Sequence, residues 1–251
     1  ACYTMAEVED IPILWSKLED ADDVLCPQLG DGGEEVGNPS YAAAKFNNGV
    51  LSEADANYVK FPTGNNSIDI DFGTIEFWAK LKFAPDDADN HFFFSFLSGG
   101  GIRCYFSAIE DDFYAKLYVS SVAIISLLTS GETWEVDDLL HFGVTWSRFG
   151  VGIDGDKTLV IKINNVEKAS STITWLPDDV ASEIFVGKGD IASPHSDAVI
   201  DNLKTFKGCK IDFSDKDTED TIPASPLAPT LLECEGETNP TNVTDLTPEL
   251  T

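Results

Sequence analysis

The chain has 251 residues, 43% of them hydrophobic, enough to bury a complete core in a single β-sandwich domain. Its 44 acidic residues against 16 basic ones give a formal net charge of −28, which argues against nucleic acid or an anionic membrane as partner, because phosphate binding requires a basic patch. No apolar run approaches the roughly 18–20 residues of a membrane-spanning helix, so no membrane insertion is expected.

Short apolar and β-branched runs bounded by Gly, Asn, Asp or Pro recur along the chain, the pattern of half-buried strands. Residues 11–18 read as the first strand, Pro12 favouring strand over the helical face that Ile11, Leu14, Trp15 and Leu18 also fit. Residues 30–35 form a turn-rich loop, and Asn47, Asn48 and Gly49 supply the left-handed positions of a tight turn. Strands follow at 58–61, 73–83, 92–97, 102–108, 113–120 and 122–128, with an acidic turn at 85–90 and a break at Gly99, Gly100 and Gly101. Residues 141–146 are the next strand, 159–163 and 166–170 make a hairpin about Asn164 and Asn165, and 184–187 and 199–206 complete the pattern. About a dozen strands make two sheets of roughly five or six each.

Residues 1–10 read as an N-terminal extension and 11–211 as the sandwich domain. From Asp212 the chain turns acidic and proline-containing with neither period, so 212–251 reads as a C-terminal extension, either a linker or an arm ordering on a partner or on the domain itself. Cys104 sits in a strand-like run and is expected to be a buried free thiol. Cys2, Cys26, Cys209 and Cys234 lie toward the ends and suit clasps on the terminal segments if the chain is extracellular, or free thiols inside a cell.

Leu14-Trp15-Ser16-Lys17-Leu18-Glu19-Asp20, Ala44-Lys45-Phe46-Asn47-Asn48-Gly49, Asn57-Tyr58-Val59-Lys60-Phe61, Gly73-Thr74-Ile75-Glu76-Phe77-Trp78, His141-Phe142-Gly143-Val144-Thr145-Trp146, Lys162-Ile163-Asn164-Asn165-Val166 and Ala198-Val199-Ile200-Asp201-Asn202-Leu203 follow one another in an order that resembles a laminin-G-like, concanavalin A-like jelly roll over residues 11–208. The usual Asn-Gly hairpin of that family appears as Asn164-Asn165, which the turn tolerates because Asn accepts positive φ. The resemblance implies an all-β fold: a two-sheet antiparallel β-sandwich with irregular terminal extensions. It further implies a structural Ca²⁺ tying the first strand to the last. Asp201 matches the last-strand ligand and Glu19 the first-strand one, with oxygens of Asn47 and Asn48 able to supplement them, since Ca²⁺ takes six to eight oxygens. The alternative role for Asp201 is to cap loop amides at the sandwich edge.

Related laminarinases carry their acids as E-x-D-x-x-E on one strand, placing a carboxylate pair in the cleft. The nearest approach here, Glu53-Ala54-Asp55-Ala56-Asn57, lies in a turn-rich connection and has Asn where a second Glu is needed, which counts against a glycoside hydrolase. His91, His141 and His195 are the only histidines, no Gly-x-Ser-x-Gly elbow is present, and the spacing is not that of metal ligands. No catalytic residue is therefore assigned. The expected function is a non-catalytic recognition or attachment module, extracellular or displayed on a cell or virion surface, binding glycan or a surface protein. Trp134, Trp175, Tyr105, Tyr114 and Tyr118, in or beside polar loops, are the expected sugar platform, whereas Trp78 and Trp146 are read as inward core aromatics. The structural alternative is a decoration subunit of a virion or surface layer, self-assembling through its terminal extensions.

Overall fold

The computed structural model describes residues 12–64, 68–97, 100–151, 155–175, 182–189 and 194–219. They fall within one compact unit, 1–220; the second unit, 221–251, lies outside the described residues, as do residues 1–11 with Cys2, and Cys234. In chain order the strands are β1 (Leu14–Ser16), β2 (Glu34–Val36), β3 (Ser40–Ala43), β4 (Asn48–Ser52), β5 (Tyr58–Pro62), β6 (Phe72–Leu81), β7 (His91–Leu97), β8 (Gly101–Ser107), β9 (Asp112–Val119), β10 (Val122–Leu128), β11 (Leu139–Val151), β12 (Lys157–Ile163), β13 (Val166–Ser171), β14 (Glu183–Val186) and β15 (Ala198–Phe206). One helical turn, α1 (Ala21–Leu25), follows β1, capped by the Asp20 carboxylate, which accepts the N–H groups of Asp22 and Asp23.

Two antiparallel sheets result. The eight-stranded sheet runs β13-β12-β11-β6-β15-β4-β3, and the seven-stranded sheet runs β10-β9-β8-β7-β14-β5-β2. β15 is central although it comes last: β6 lies on one side, while β4 and β1 share the other, β4 along Ala198–Ile200 and β1 along Leu203–Thr205. The predicted strands from 58 to 206 all appear. Residues 34–35, expected in a loop, open β2, and Asn48 and Gly49 open β4 immediately after the positive-φ turn at Asn47.

Phenylalanine dominates the space between the sheets. Phe77 of β6 stacks on Phe142 of β11 at 5.3 Å, and Phe93 and Phe113 of the facing sheet reach Phe142 at 5.2 and 5.1 Å. Each fully buried ring is worth about 1.5–3 kcal/mol of transfer free energy. Cys104 is a buried free thiol within this core, Cys209 is also free, and Cys26 is disulfide-bonded.

The outer face of the eight-stranded sheet is not open. Residues 207–219 cross it as a strap: Thr74 Oγ1 donates to the Gly208 carbonyl at 2.8 Å and Thr145 Oγ1 to the Lys210 carbonyl at 2.5 Å. Phe213 is fully buried over Gly143, where a Cβ would lie 2.4 Å from its ring, and its N–H donates to Asn165 Oδ1 at 2.9 Å. Beneath the strap Glu76, 2% exposed, sits between Lys204 at 3.3 Å and Lys210 at 3.1 Å. Burial raises its pKa and the two ammonium groups oppose that rise. Such a cluster fixes the position of the strap more than it adds stability, since desolvation offsets most of the attraction. Beyond it, Lys45 pairs with Asp217 at 2.5 Å and Lys17 with Glu219 at 2.6 Å. Thus the first eight residues of the predicted C-terminal extension lie on the domain's own surface.

Trp146 is a core residue as expected, but Trp78 is buried on the other side of its sheet. It shares its parity with Glu76 and Lys80, so it faces outward and is covered by the strap, its Nε1 donating to the Lys216 carbonyl at 3.1 Å.

Candidate functional site

The aromatic residues singled out in the sequence divide into two groups. Trp134 and Trp175 are 5% and 6% exposed and belong to the core between the sheets, which removes both from any sugar platform. The polar Gly131-Glu132-Thr133 stretch suggested a loop, yet the Trp134 indole turns inward against Phe113 at 4.8 Å and satisfies its N–H on the Phe83 carbonyl at 3.1 Å.

Tyr105, Tyr114 and Tyr118, by contrast, are brought together on the outer face of the seven-stranded sheet. Alternation in β8 sends Ile102, Cys104 and Phe106 into the core and Arg103 and Tyr105 outward; in β9 it sends Phe113, Ala115 and Leu117 inward and Tyr114, Lys116 and Tyr118 outward. Register then aligns these residues across strands. Tyr105 lies opposite both Phe92 of β7 and Tyr114 of β9, and the three rings stack in a row at 4.6 and 5.4 Å. In the adjacent row Arg103 lies opposite Lys116, flanked by Ser95 and Ser126. One row further Tyr118 lies between Gly101 and Ala123.

The two cations lie over the rings. Lys116 Nζ is 4.1 Å from the Tyr114 centroid and 5.2 Å from that of Tyr105, and the Arg103 guanidinium is 5.4 Å from Tyr118 and 5.7 Å from Phe92. Close stacking leaves Phe92 and Tyr105 only 7% and 8% exposed, so they present edges, while Tyr114 and Tyr118 are half-buried and offer more of their rings. Burial pushes the Tyr105 phenol up to about 12, so its hydroxyl is a neutral donor at ordinary pH. Phe92, Arg103 and Lys116 were not singled out in the sequence. Their signal was available in the parity of positions 103 and 105 and of 114, 116 and 118, but their mutual alignment depends on register, which the sequence does not print.

The proposed cation ligands also converge in part. A bulge in β15 after Asp201, with Asn202 at φ 52°, turns the Asp201 carboxylate toward the 44–47 loop. Its Oδ2 accepts the Phe46 N–H at 2.7 Å, while Oδ1 is buried and makes no hydrogen bond. Burial pushes this carboxyl up to about 7; the amides of Phe46, Lys45 and Asn202 oppose the rise and nearby Glu19 adds to it. Glu19 Oε1 accepts from Asn47 Nδ2 at 3.0 Å, and Asn48 follows, exposed, at the head of β4. Among the described residues no cluster of three or more His, Cys, Asp or Glu is placed to hold a metal, so amide and backbone oxygens have to complete any site built on Glu19 and Asp201. His195 does not stand free in its loop: its Nδ1 lies 2.8 Å from Asp55 Oδ1.

No protein-family model and no curated protein matches the chain by sequence. Solved structures match it in fold. The receptor binding domain of botulinum neurotoxin C/D mosaic serotype superposes with a TM-score of 0.63 at 14% identity, covering 83% of this chain and 50% of that one. The botulinum neurotoxin serotype G binding domain gives 0.59 at 14% identity, with 80% and 48% covered. Domain 4 of AbnA, a GH43 extracellular arabinanase from Geobacillus stearothermophilus solved in complex with arabinotriose, gives 0.58 at 14% identity, with 79% and 93% covered. The chain spans about half the length of the neurotoxin domains and nearly all of the arabinanase domain. The shared feature is an antiparallel β-sandwich of the jelly-roll kind.

Proposed function

We propose that this chain is a non-catalytic recognition module of laminin-G-like type, displayed at the surface of a cell or virus, which binds glycan on the outer face of its seven-stranded sheet. The observation that carries this reading is the cross-strand row of Phe92, Tyr105 and Tyr114 with Tyr118 beside it. Rings held rigidly by a sheet offer apolar faces and edges to a sugar at little entropic cost, and the phenol hydroxyls supply directional hydrogen bonds. The arabinotriose held by the arabinanase domain and the receptor-binding role of the neurotoxin domains support binding rather than catalysis on this scaffold. The disulfide at Cys26 supports an oxidising, extracellular setting.

A structural Ca²⁺ belongs to the same proposal. The buried, unbonded Oδ1 of Asp201 fits a cation, and Glu19 with the side-chain oxygens of Asn47 and Asn48 are the further ligands. The ion supplies stability, joining β15 to the segment after β1, and no chemistry. A glycan array tests the binding role. Wild-type hits are expected to disappear with Tyr114→Ala and with Tyr118→Ala while circular dichroism stays unchanged. An array without hits, or hits that survive both substitutions, refutes binding of sugar at this face.

A further inference from the structure

We propose that β10 is the contact through which two copies of this chain pair, edge to edge and antiparallel about a two-fold axis at Leu127, so that the seven-stranded sheet of one continues into that of the other.

β10 closes one end of its sheet and, among the described residues, pairs with β9 alone. The Thr129 N–H donates to the Phe113 carbonyl at 2.9 Å, and in an antiparallel ladder alternate residues turn their main-chain groups to the same side. Leu127 therefore turns its N–H and C=O toward β9, while Ser126 and Leu128 turn theirs to the open edge. Those groups stand in strand geometry, ready to accept a further strand.

The other edges of the sandwich are blunted. β2 carries Glu34 and Glu35, β13 carries Glu167 and Lys168, and β3 is only four residues long. β10 has no charge and no proline. Its one irregularity, a bulge between Ala123 and Ile125, takes Ile124 out of register and leaves it 38% exposed, close to Val122 at 59%; from Ile125 to Leu128 the ladder is regular.

Charge identifies the occupant as a second copy. Residues 117–131 hold no Asp, Glu, Lys or Arg, the longest such run in a chain whose net charge is −28. Two copies repel one another over most of their surface, so main-chain contact between them requires a neutral edge, whereas a basic partner is drawn to the carboxylates instead. Glu132, the first charge after the run, is paired with Lys168 at 2.8 Å. The chain's own residues 220–251 lack a matching stretch. Their two proline-free runs as long as β10, 230–239 and 241–247, carry Glu233, Glu235 and Glu237 in the first and Asp245 in the second.

With the axis at Leu127, Ser126 of each copy opposes Leu128 of the other, and each pair exchanges both its hydrogen bonds. This isologous contact uses the edge in both molecules, so assembly stops at a dimer. The axis is normal to the sheet. The Phe92, Tyr105 and Tyr114 rows of both copies then look the same way, and any ligand of that face meets it twice.

The test is sedimentation velocity on the full chain from about 1 to 200 µM, where a dimer with a Kd on the order of 10 µM is expected for a small interface. Ser126→Pro removes an edge N–H that β9 does not use, and Ile124→Lys places an ammonium on the exposed bulge; each is expected to raise Kd about tenfold or more with circular dichroism unchanged. Should the proline variant fail to fold, Ile124→Lys, at an exposed position, carries the test. Leu25→Lys, at an equally exposed apolar position in α1, is expected to leave Kd unchanged. Raising salt from about 50 to 500 mM is expected to tighten the dimer by a few-fold, because it screens repulsion between the copies. The Ser126 and Leu128 amides are expected to exchange more slowly as concentration rises. A monomer over the whole range overturns the inference, as does a dimer that both variants leave intact or that salt weakens. A ladder of larger species overturns the closed two-fold contact.

Discussion

Phe213 and Gly143 form a contact that a double-mutant cycle isolates. A Cβ on Gly143 falls 2.4 Å from Cζ and 2.5 Å from Cε2 of the Phe213 ring, far inside contact distance, so Gly143→Ala pushes the strap off β11. Overpacking of this kind costs about 1–3 kcal/mol. Phe213→Ala empties a fully buried site and costs about 3–5 kcal/mol. In the Phe213→Ala background, however, the methyl group added at 143 enters the space the ring has vacated and costs nothing further. The double variant is therefore expected to match Phe213→Ala, giving a coupling of about 1–3 kcal/mol. Urea unfolding followed by tryptophan fluorescence reads this as shifts in midpoint at constant m, and thermal melts fall by about 2–4 °C per kcal/mol for a chain of this size. Costs that add to within about 0.5 kcal/mol refute the packing of Phe213 on Gly143, and with it the strap.

Three further outcomes are expected. His141 is 2% exposed between Trp78 and Phe213, and burial together with Lys210, Lys204 and Lys216 pushes its imidazole down to about 3 from an ordinary 6.5. Its contribution to stability is complete above pH 6.5 and is lost as pH falls toward 3, at up to about 1.4 kcal/mol per pH unit; urea midpoints at pH 7, 5.5 and 4 should show a slope one proton shallower in His141→Phe, and an equal slope refutes it. Ca²⁺ at a hundredfold excess over its Kd should stabilise the wild type by about 2.7 kcal/mol, an effect lost in Asp201→Asn and retained in Asp55→Asn; a melt indifferent to chelator rejects the cation site. Trp134→Ala should lower stability by about 3–5 kcal/mol as a core truncation, and a melt within a degree of wild type contradicts its burial.

Strand pattern was legible because alternation is a local property: β10 was found residue for residue, and β6, β7 and β9 to within two residues at either end. β2, β3 and β4 were not, because short strands rich in Glu, Ser, Ala, Asn and Gly owe their state to their pairing partners rather than to intrinsic propensity. The same limit divides the candidate site. Tyr105, Tyr114 and Tyr118 were singled out for lying in or beside polar loops; they stand on β8 and β9 instead, aligned by register, with Tyr105 itself buried. Trp134 was misplaced because a polar approach in sequence says nothing about the direction in which the next side chain turns. Trp78 was assigned to the wrong side of its strand although its shared parity with Glu76 was visible; the strap that buries it comes from 138 residues away.

The strap and the central position of β15 also set the order in which the molecule can be completed during translation. Thr74 finds its Gly208 acceptor 134 residues later, and the Trp15 indole finds Asn202 187 residues later. At roughly 5–20 residues per second, the interval between making β6 and making the strap that covers it is about 7–27 s. Until β11 is made β6 has two unpaired edges, and until β15 is made it keeps one, with Trp78 uncovered until the strap follows, the features that recruit a holdase or another nascent chain. Any shortened version ending before Ala198 lacks β15 and keeps that edge permanently, so expression of such fragments is expected to yield aggregate even where the full chain is soluble.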